Sequence, residues 1–470
     1  MPISCPAHKP GCKGSQRPSR VQSATGSRLM EPDTPDCAPG AWAKPSSRPV
    51  RRPSGRLGLV AWSLFDWANS PMPTVVITFV FAAYFARGIV GNEVEGTALW
   101  SWGLAASSLL VAVSAPVLGA IADAGGRRKP WIFGFSALMA IAAALLWFAA
   151  PDPAWVLYAL GMVVLVNLGF ELSTVFYNAM LPDLASHDRV GRISGWAWAV
   201  GYFGGLACLI LVLVGLIQAD PPPFGLSDKH AEDVRAAMPL LSIWLVVFGW
   251  PMFVFTPDRP SGGLGKTEAM RQGLRRLRST ITNLRPHKTI IRFLIARLFY
   301  IDGLNTLFGL GGVYAATAFD MNEAEVIQFA IALNVTAGLG AMGFAWIDDR
   351  FGAKLTINFS VTALVLLCAS ILLVRDVTWF WALGMAIGIF IGPVQSASRS
   401  LMARLAPPDM TGEMFGLFAL SGRVTAFIGP LLVGVVATVA NSQRVGMGVI
   451  VLLFVIGLAL MLPLEEPGRP

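Results

Sequence analysis

After residue 56, long apolar runs alternate with short polar breaks along almost the whole chain; Trp131–Ala150 and Leu240–Phe255 are two of them. About 20 apolar residues, rising 1.5 Å each, cross a hydrocarbon core of about 30 Å. Backbone groups in lipid must bond within their own segment, so such runs are helices. The pattern predicts spans near 57–86, 97–121, 130–150, 154–180, 192–217, 238–256, 290–315, 324–346, 355–374, 378–402, 413–439 and 444–463. The fold class is therefore an all-α membrane protein of about twelve transmembrane helices. The polar stretch after the sixth run divides them equally. We expect six-helix bundles over 57–256 and 290–463, a linker over 257–289 and a tail over 464–470.

Composition sharpens this picture. Apolar residues make up 54% of the chain and charged residues 14%, against roughly 25% charged in soluble domains. With the N-terminus inside, the five inner loops hold seventeen Lys/Arg and the outer loops five. That bias predicts a multi-pass protein of the cell (inner) membrane with both termini cytoplasmic. It also accounts for the net charge of +8 without nucleic acid as a partner. Residues 1–56 carry ten prolines, ten Lys/Arg and three acids without an apolar run, so they are expected to be disordered. They lack the apolar core of a signal peptide, and Met30 is an alternative start to Met1. Cys5, Cys12, Cys37, Cys208 and Cys368 form no metal-ligand spacing, and no metal or cofactor is expected. His8, His187, His230 and His287 all fall outside the spans, which disfavours a histidine proton relay. GGLGKT (Gly262–Thr267) has Pro260 where a phosphate-binding loop needs its first glycine. ATP is therefore not the expected energy source.

The two halves repeat each other. FDWANS (Phe65–Ser70) in span one matches IDGLNT (Ile301–Thr306) in span seven. GAIADAGGRRK (Gly119–Lys129) matches AWIDDRFGAK (Ala345–Lys354), and LPD (Leu181–Asp183) matches PPD (Pro407–Asp409), at offsets of 236, 226 and 226 residues. A six-span unit repeated in parallel is how the halves of major facilitator transporters relate. GAIADAGGRRK resembles that superfamily's signature loop, with Ala124 where a basic residue is usual. FDWANS followed by VFAAYFA, then FYNAMLPDLA with GYFGG, and GPVQSASRSLMARLAPPDMTGEMFGLFALSGR narrow the match. Together they resemble the autophagy-related vacuolar amino-acid effluxer family and its bacterial relatives, over about residues 57–463. The resemblance implies the major facilitator fold, in which spans one, four, seven and ten line a central cavity.

Carboxylates inside a span cost roughly 2.5–3.5 kcal/mol at its centre, so each needs a reason. Asp66 with Asn69, and Asp302 with Asn305, are three residues apart and share a helical face. Either they line the cavity or they bond a neighbouring helix and hold the bundle together. Pro71 and Pro73 can loosen the helix beyond the first pair. Glu171, with Asn167 one turn earlier, stands alone in span four. It is either a proton-coupling or substrate group, or a static partner of Arg192 or another cation. Gln395, Ser398 and Arg399 share a face of span ten. There Arg399 either forks onto a substrate carboxylate or bonds loop carbonyls and the signature-loop Asp at the membrane interface.

The signature-loop residues Gly119, Asp123, Gly126, Arg127 and Arg128, and Asp349, Arg350, Gly352 and Lys354 of the second copy, are read as gates. The glycines allow tight turns. Asp123 and Asp349 can face the positive end of a helix in the opposite half, while Arg127 and Arg128 meet acids or lipid phosphates. The expected function is a secondary active transporter, a monomer among membrane lipids with protons as candidate coupling ion. By resemblance it moves amino acids or similar zwitterions by alternating access, in the efflux direction for its namesake family. Organic anions, sugars and drug-like cations remain alternative cargoes. A receptor or membrane enzyme is a remote alternative, since no soluble signalling domain and no interfacial histidine or carboxylate cluster is present.

Overall fold

The computed structural model describes residues 55–219, 221, 223–226, 230–282 and 287–466. The expected disordered segment 1–56 lies outside them except for its last two residues, and the tail 464–470 except for its first three. Among the described residues, twelve helices are long and apolar enough to cross a bilayer. They are Arg56–Ile89, Glu93–Gly125, Lys129–Phe148, Pro153–Leu184, Val190–Ile217, Glu232–Phe255, Lys288–Phe319, Glu325–Phe351, Ala353–Leu373, Val377–Leu405, Thr411–Val439 and Gln443–Met461. We number them spans one to twelve. Large apolar side chains such as Val113, Ile141, Val246, Leu366 and Leu431 point outward, exposed, as a lipid-facing surface requires.

Helix ends explain where several spans start. At one end of the bundle the caps are local. The side chain of Asn92 accepts from Val94 and Glu95 N–H, that of Asp376 from Thr378 and Trp379 N–H, and Asn322 forms a capping box with Glu325. At the other end, which carries the signature loops and which we call the basic end, the caps come from far along the chain. Asp258 after span six accepts from Arg128 and Lys129 N–H at the start of span three. Glu466 after span twelve accepts from Ala353 and Lys354 N–H at the start of span nine. Each half thus ends on an acid that caps its own third helix.

One feature follows the prolines noted in the sequence, and two depart from the pattern read there. Span one is α-helical over Arg56–Asn69, then widens to a π-helix over Met72–Phe79, where Pro71 and Pro73 remove backbone donors. Span eleven, expected as one helix over 413–439, is two helices, Thr411–Arg423 and Ile428–Val439, with turns between them. The expected linker holds a helix of its own, Lys266–Thr282. Its residues Ala269, Gly273, Leu277 and Thr280 turn inward, and Gly273 packs directly on the backbone of Ala120 and Ile121.

The halves meet at the basic end. Span two crosses span eleven, and span five crosses span eight. Both crossings are backbone-close: a Cβ on Gly119 would fall 2.2 Å from the Gly412 carbonyl oxygen, and one on Gly195 would fall 2.6 Å from that of Ala341. Beyond the middle, the Met72–Ile89 part of span one and the Ile428–Val439 part of span eleven pack mainly within their own halves. The bundle is sealed at the basic end and parts toward the other.

Candidate functional site

At about 1.5 Å per residue, Arg399 lies about 9 Å inside span ten from its basic end at Leu405. It is an interior residue of the helix Val377–Leu405, 2% exposed. That corrects its reading as a loop or interface cation. Its guanidinium reaches across to the N-terminal half: Nη1 donates to Asp66 Oδ2 at 3.0 Å and Asn178 Oδ1 at 3.3 Å, Nε to Ser194 Oγ at 2.9 Å and Nη2 to the Ser194 carbonyl at 2.6 Å. The rings of Trp62, Tyr177 and Trp198 surround it at 5.3–5.8 Å. Trp62 and Tyr177 stack at 4.3 Å and exchange side-chain to backbone hydrogen bonds, which locks span one to span four behind Asp66. Arg399 bonds neither loop carbonyls nor the signature-loop acid.

Glu171 is not a lone carboxylate. It pairs with Arg423, the last residue before the break in span eleven, and not with Arg192, which pairs with Asp349 at 3.0 Å. Both partners lie about 18–20 Å in from their basic ends, so this pair sits farther from the seal than Asp66–Arg399. Its arginine is wetter, Arg423 being 33% exposed against 2% for Arg399, while Glu171 at 10% is less exposed than Asp66 at 17%. Each pair takes its acid from the first half and its arginine from the second. Gln395 donates to Tyr202 Oη at 3.2 Å, and Asn69 to Thr174 Oγ1 at 3.3 Å with its own Oδ1 unpartnered. Asn167 is committed to Ser107 of span two.

The second Asp-x-x-Asn pair has different surroundings. Asp302 Oδ2 accepts from Gly429 N–H at 3.1 Å, at the start of the second helix of span eleven, and Asn305 donates to the Gly422 carbonyl at 3.4 Å on the other side of the break. The two side chains brace the interruption, and neither meets the Arg399 or Arg423 ion pair.

At the basic end, Asp123 accepts from Gly412 and Glu413 N–H at 2.9 and 2.8 Å, on the positive end of span eleven. Arg128 is buried beside it, 3.6 Å from Asp123, 2.6 Å from Asp183, and bonded to Thr411 Oγ1 and the Ala179 carbonyl. Burial lowers the Arg128 pKa, opposed by Asp183 and Asp123. Arg259 forks onto Asp183 at 2.6 and 2.8 Å. In the second copy it is Asp348, not Asp349, that packs on the helix start opposite: a Cβ on Gly191 would fall 2.5 Å from its Cγ. Asp348 bonds Ser400 and Arg404, and Asp349 turns to Arg192. The repeat had matched Asp349 to Asp123, whereas the contact falls one residue earlier. Gly126 (φ 87°) and Gly352 (φ 102°) make the tight turns, but Gly119 serves the close helix crossing instead. Arg127 and Arg350 are exposed, and Lys354 contributes its backbone N–H to Glu466.

Arg423, Arg297 and Ser194 were not singled out in the sequence. Both arginines lie within predicted apolar spans, where the cost that drew attention to the acids applies equally.

With this geometry in hand, similarity to known proteins is decisive. Residues 86–467 match the family described as "Vacuole effluxer Atg22 like". The chain belongs to that family. It is similar to the uncharacterized MFS-type transporter YxiO of Bacillus subtilis, 26% identical over 85% of this chain and 93% of that one. It is also similar to autophagy-related protein 22-1 of Penicillium rubens, 25% identical over 58% of this chain, and spans about half the length of that fungal relative (48%). Among solved structures, the human organic anion transporter MFSD10 superposes with a TM-score of 0.67 at 16% identity, covering 87% of this chain and all of that one. The proton:xylose symporter XylE superposes with a TM-score of 0.67 at 12% identity, covering 86% and 94%. This Atg22-like chain has the major facilitator fold and is a multi-pass membrane transporter of that type, not an enzyme.

Proposed function

We propose that this protein moves an amino acid or similar zwitterion across the cell membrane by alternating access, with the basic end and both termini cytoplasmic. One observation carries the reading: two ion pairs, Asp66–Arg399 and Glu171–Arg423, each join an acid of the first half to an arginine of the second. A solute with both a carboxylate and an ammonium group can replace either partner of such a pair without leaving a buried charge alone. The family description, a vacuole effluxer, fits outward movement of a solute. Protons are the coupling ion in this reading, with Glu171, the acid of the pair farther from the seal, taking up the proton that frees Arg423. Asp123 with span eleven, and Asp348 with span five, form the contacts that break when the basic end opens.

A melting-temperature screen of the purified protein against the common amino acids tests the cargo. A saturable rise with at least one of them is expected, and no response to any would remove the zwitterion reading. Glu171→Gln mimics the protonated acid, so it is expected to abolish gradient-driven uptake while leaving solute exchange largely intact. Unchanged concentrative transport in that variant would take Glu171 out of the mechanism.

A further inference from the structure

Arg297 lies in span seven, about 13 Å from its basic end at Lys288. Its guanidinium is stacked on Phe418, 3.5 Å from the ring centroid, and Nη1 donates to the Phe418 carbonyl at 2.7 Å and to Ser421 Oγ at 2.8 Å. These are neutral partners. The residue is 9% exposed, its Nε is buried without a hydrogen bond, and among the described residues no carboxylate pairs with it. A buried cation without a counter-charge is costly in any protein interior and more so at membrane depth.

The nearest acid along the helix does not serve. Asp302 is five residues on, which at about 100° per residue turns it about 140° away, and its carboxylate is held by Gly429 N–H. Another acid of the interior, Glu171, is already paired with Arg423, two residues beyond Ser421. With Asp302 turned away, three interior guanidiniums (Arg297, Arg399 and Arg423) therefore have two carboxylates between them, Asp66 and Glu171. Gly422 lies between Ser421, which holds Arg297, and Arg423, and a Cβ there would come to 3.0 Å from Arg297 Nη1. Glycine lets the backbone of span eleven pass beside the guanidinium with no side chain between them, and span eleven loses its helix directly beyond.

We propose that Arg297 and Arg423 together form an anion site between spans seven and eleven, which accepts one carboxylate group or one small inorganic anion. Glu171 is the internal anion that holds Arg423 while the site is empty. An incoming anion supplies the missing counter-charge to Arg297 and competes with Glu171 for Arg423. The site rests on the proposed cavity but not on a zwitterionic cargo, because it recognises negative charge alone.

The test uses the purified full-length chain and follows melting temperature against sodium acetate and sodium chloride. Sodium isethionate, a bulky sulfonate, holds ionic strength constant. Wild type is expected to gain stability saturably with acetate, chloride or both. Response to chloride alone assigns an inorganic-anion site, and response to acetate assigns a carboxylate site. Arg297→Gln is expected to weaken the apparent affinity at least tenfold, and Arg297→Lys to recover part of it. Glu171→Gln removes the competitor, so it is expected to tighten anion binding several-fold, which keeps the proposal testable where Arg297→Gln fails to fold. Absence of any anion response in both wild type and Glu171→Gln overturns the site, as does an unaltered response in folded Arg297→Gln. Amino acids that stabilise wild type and Arg297→Gln equally would leave the zwitterion reading standing and this site refuted. Acetate binding without any amino-acid response would do the reverse.

Discussion

Two carboxylates at matching positions of the repeat meet opposite partners. Asp66 accepts from Arg399 across the interface between the halves, while Asp302 accepts from Gly429 N–H and braces a helix break within its own half. Asp302→Asn keeps an oxygen for Gly429, so folding and transport are both expected to survive it. Asp302→Ala removes the acceptor and should cost about 1–3 kcal/mol, seen as a lower melting temperature with normal transport per folded molecule. Asp66→Asn leaves the Arg399 charge without its acid and is expected to lower substrate affinity or coupling at least tenfold. Transport lost in Asp302→Asn with full stability would return Asp302 to the cavity. The Asp-x-x-Asn spacing was legible in the sequence, because it depends on helical periodicity alone. Its partners were not, since Arg399 is 333 residues from Asp66 and Arg423 is 252 from Glu171, and no local pattern encodes such pairings.

At the scale of helices, apolar run length located all twelve spans, because lipid imposes that length directly. The interruption of span eleven was missed because VTAFIG (Val424–Gly429) is as apolar as a continuous helix, yet Pro430 next to it has no N–H for the carbonyl four residues back, and Asp302 on another span then holds Gly429 N–H beyond the break. The helix Lys266–Thr282 did carry a signal, small or apolar residues at 269, 273, 277 and 280, but the abundance of basic residues around them reads as a linker. Close crossings were equally silent, since they show only as glycines. Gly119 is the sharpest case, because the atom its Cβ would meet belongs to the Gly412 backbone and cannot swing aside. Gly119→Val is expected to push spans two and eleven apart at a cost of about 1–3 kcal/mol to the sealed state. That corresponds to roughly a five- to hundredfold shift toward opening at the basic end. Spin-label distances between spans two and eleven at that end measure it, and an unshifted distribution would mean that the crossing tolerates the added volume.

For the molecule as a whole, fold and family were legible, while the conformational state was not. Which end is sealed depends on contacts between halves that each half's own sequence leaves open. Orientation is checked by Gly265→Cys, an exposed position with open space around it. A membrane-impermeant thiol reagent should label it from inside and not from outside intact cells; labelling from outside would invert the proposed topology. The seal itself is electrostatic as well as steric. Asp123 holds the first N–H groups of span eleven, an arrangement worth about 0.3–2 kcal/mol for a charge at a helix N-terminus. Asp123→Asn keeps a hydrogen-bonding oxygen but removes the charge, and leaves Arg128 with Asp183 as its acid. It is expected to raise the population opened at the basic end by up to about thirtyfold, since 1.4 kcal/mol is a factor of ten. If the two halves rock as rigid units, as proposed, opening there narrows the opposite entrance. Accessibility of single cysteines at the two ends should therefore change in opposite directions in this variant. If the basic end became accessible while the other stayed open, the halves would not be rocking as units, and alternating access would be the wrong description of this transporter.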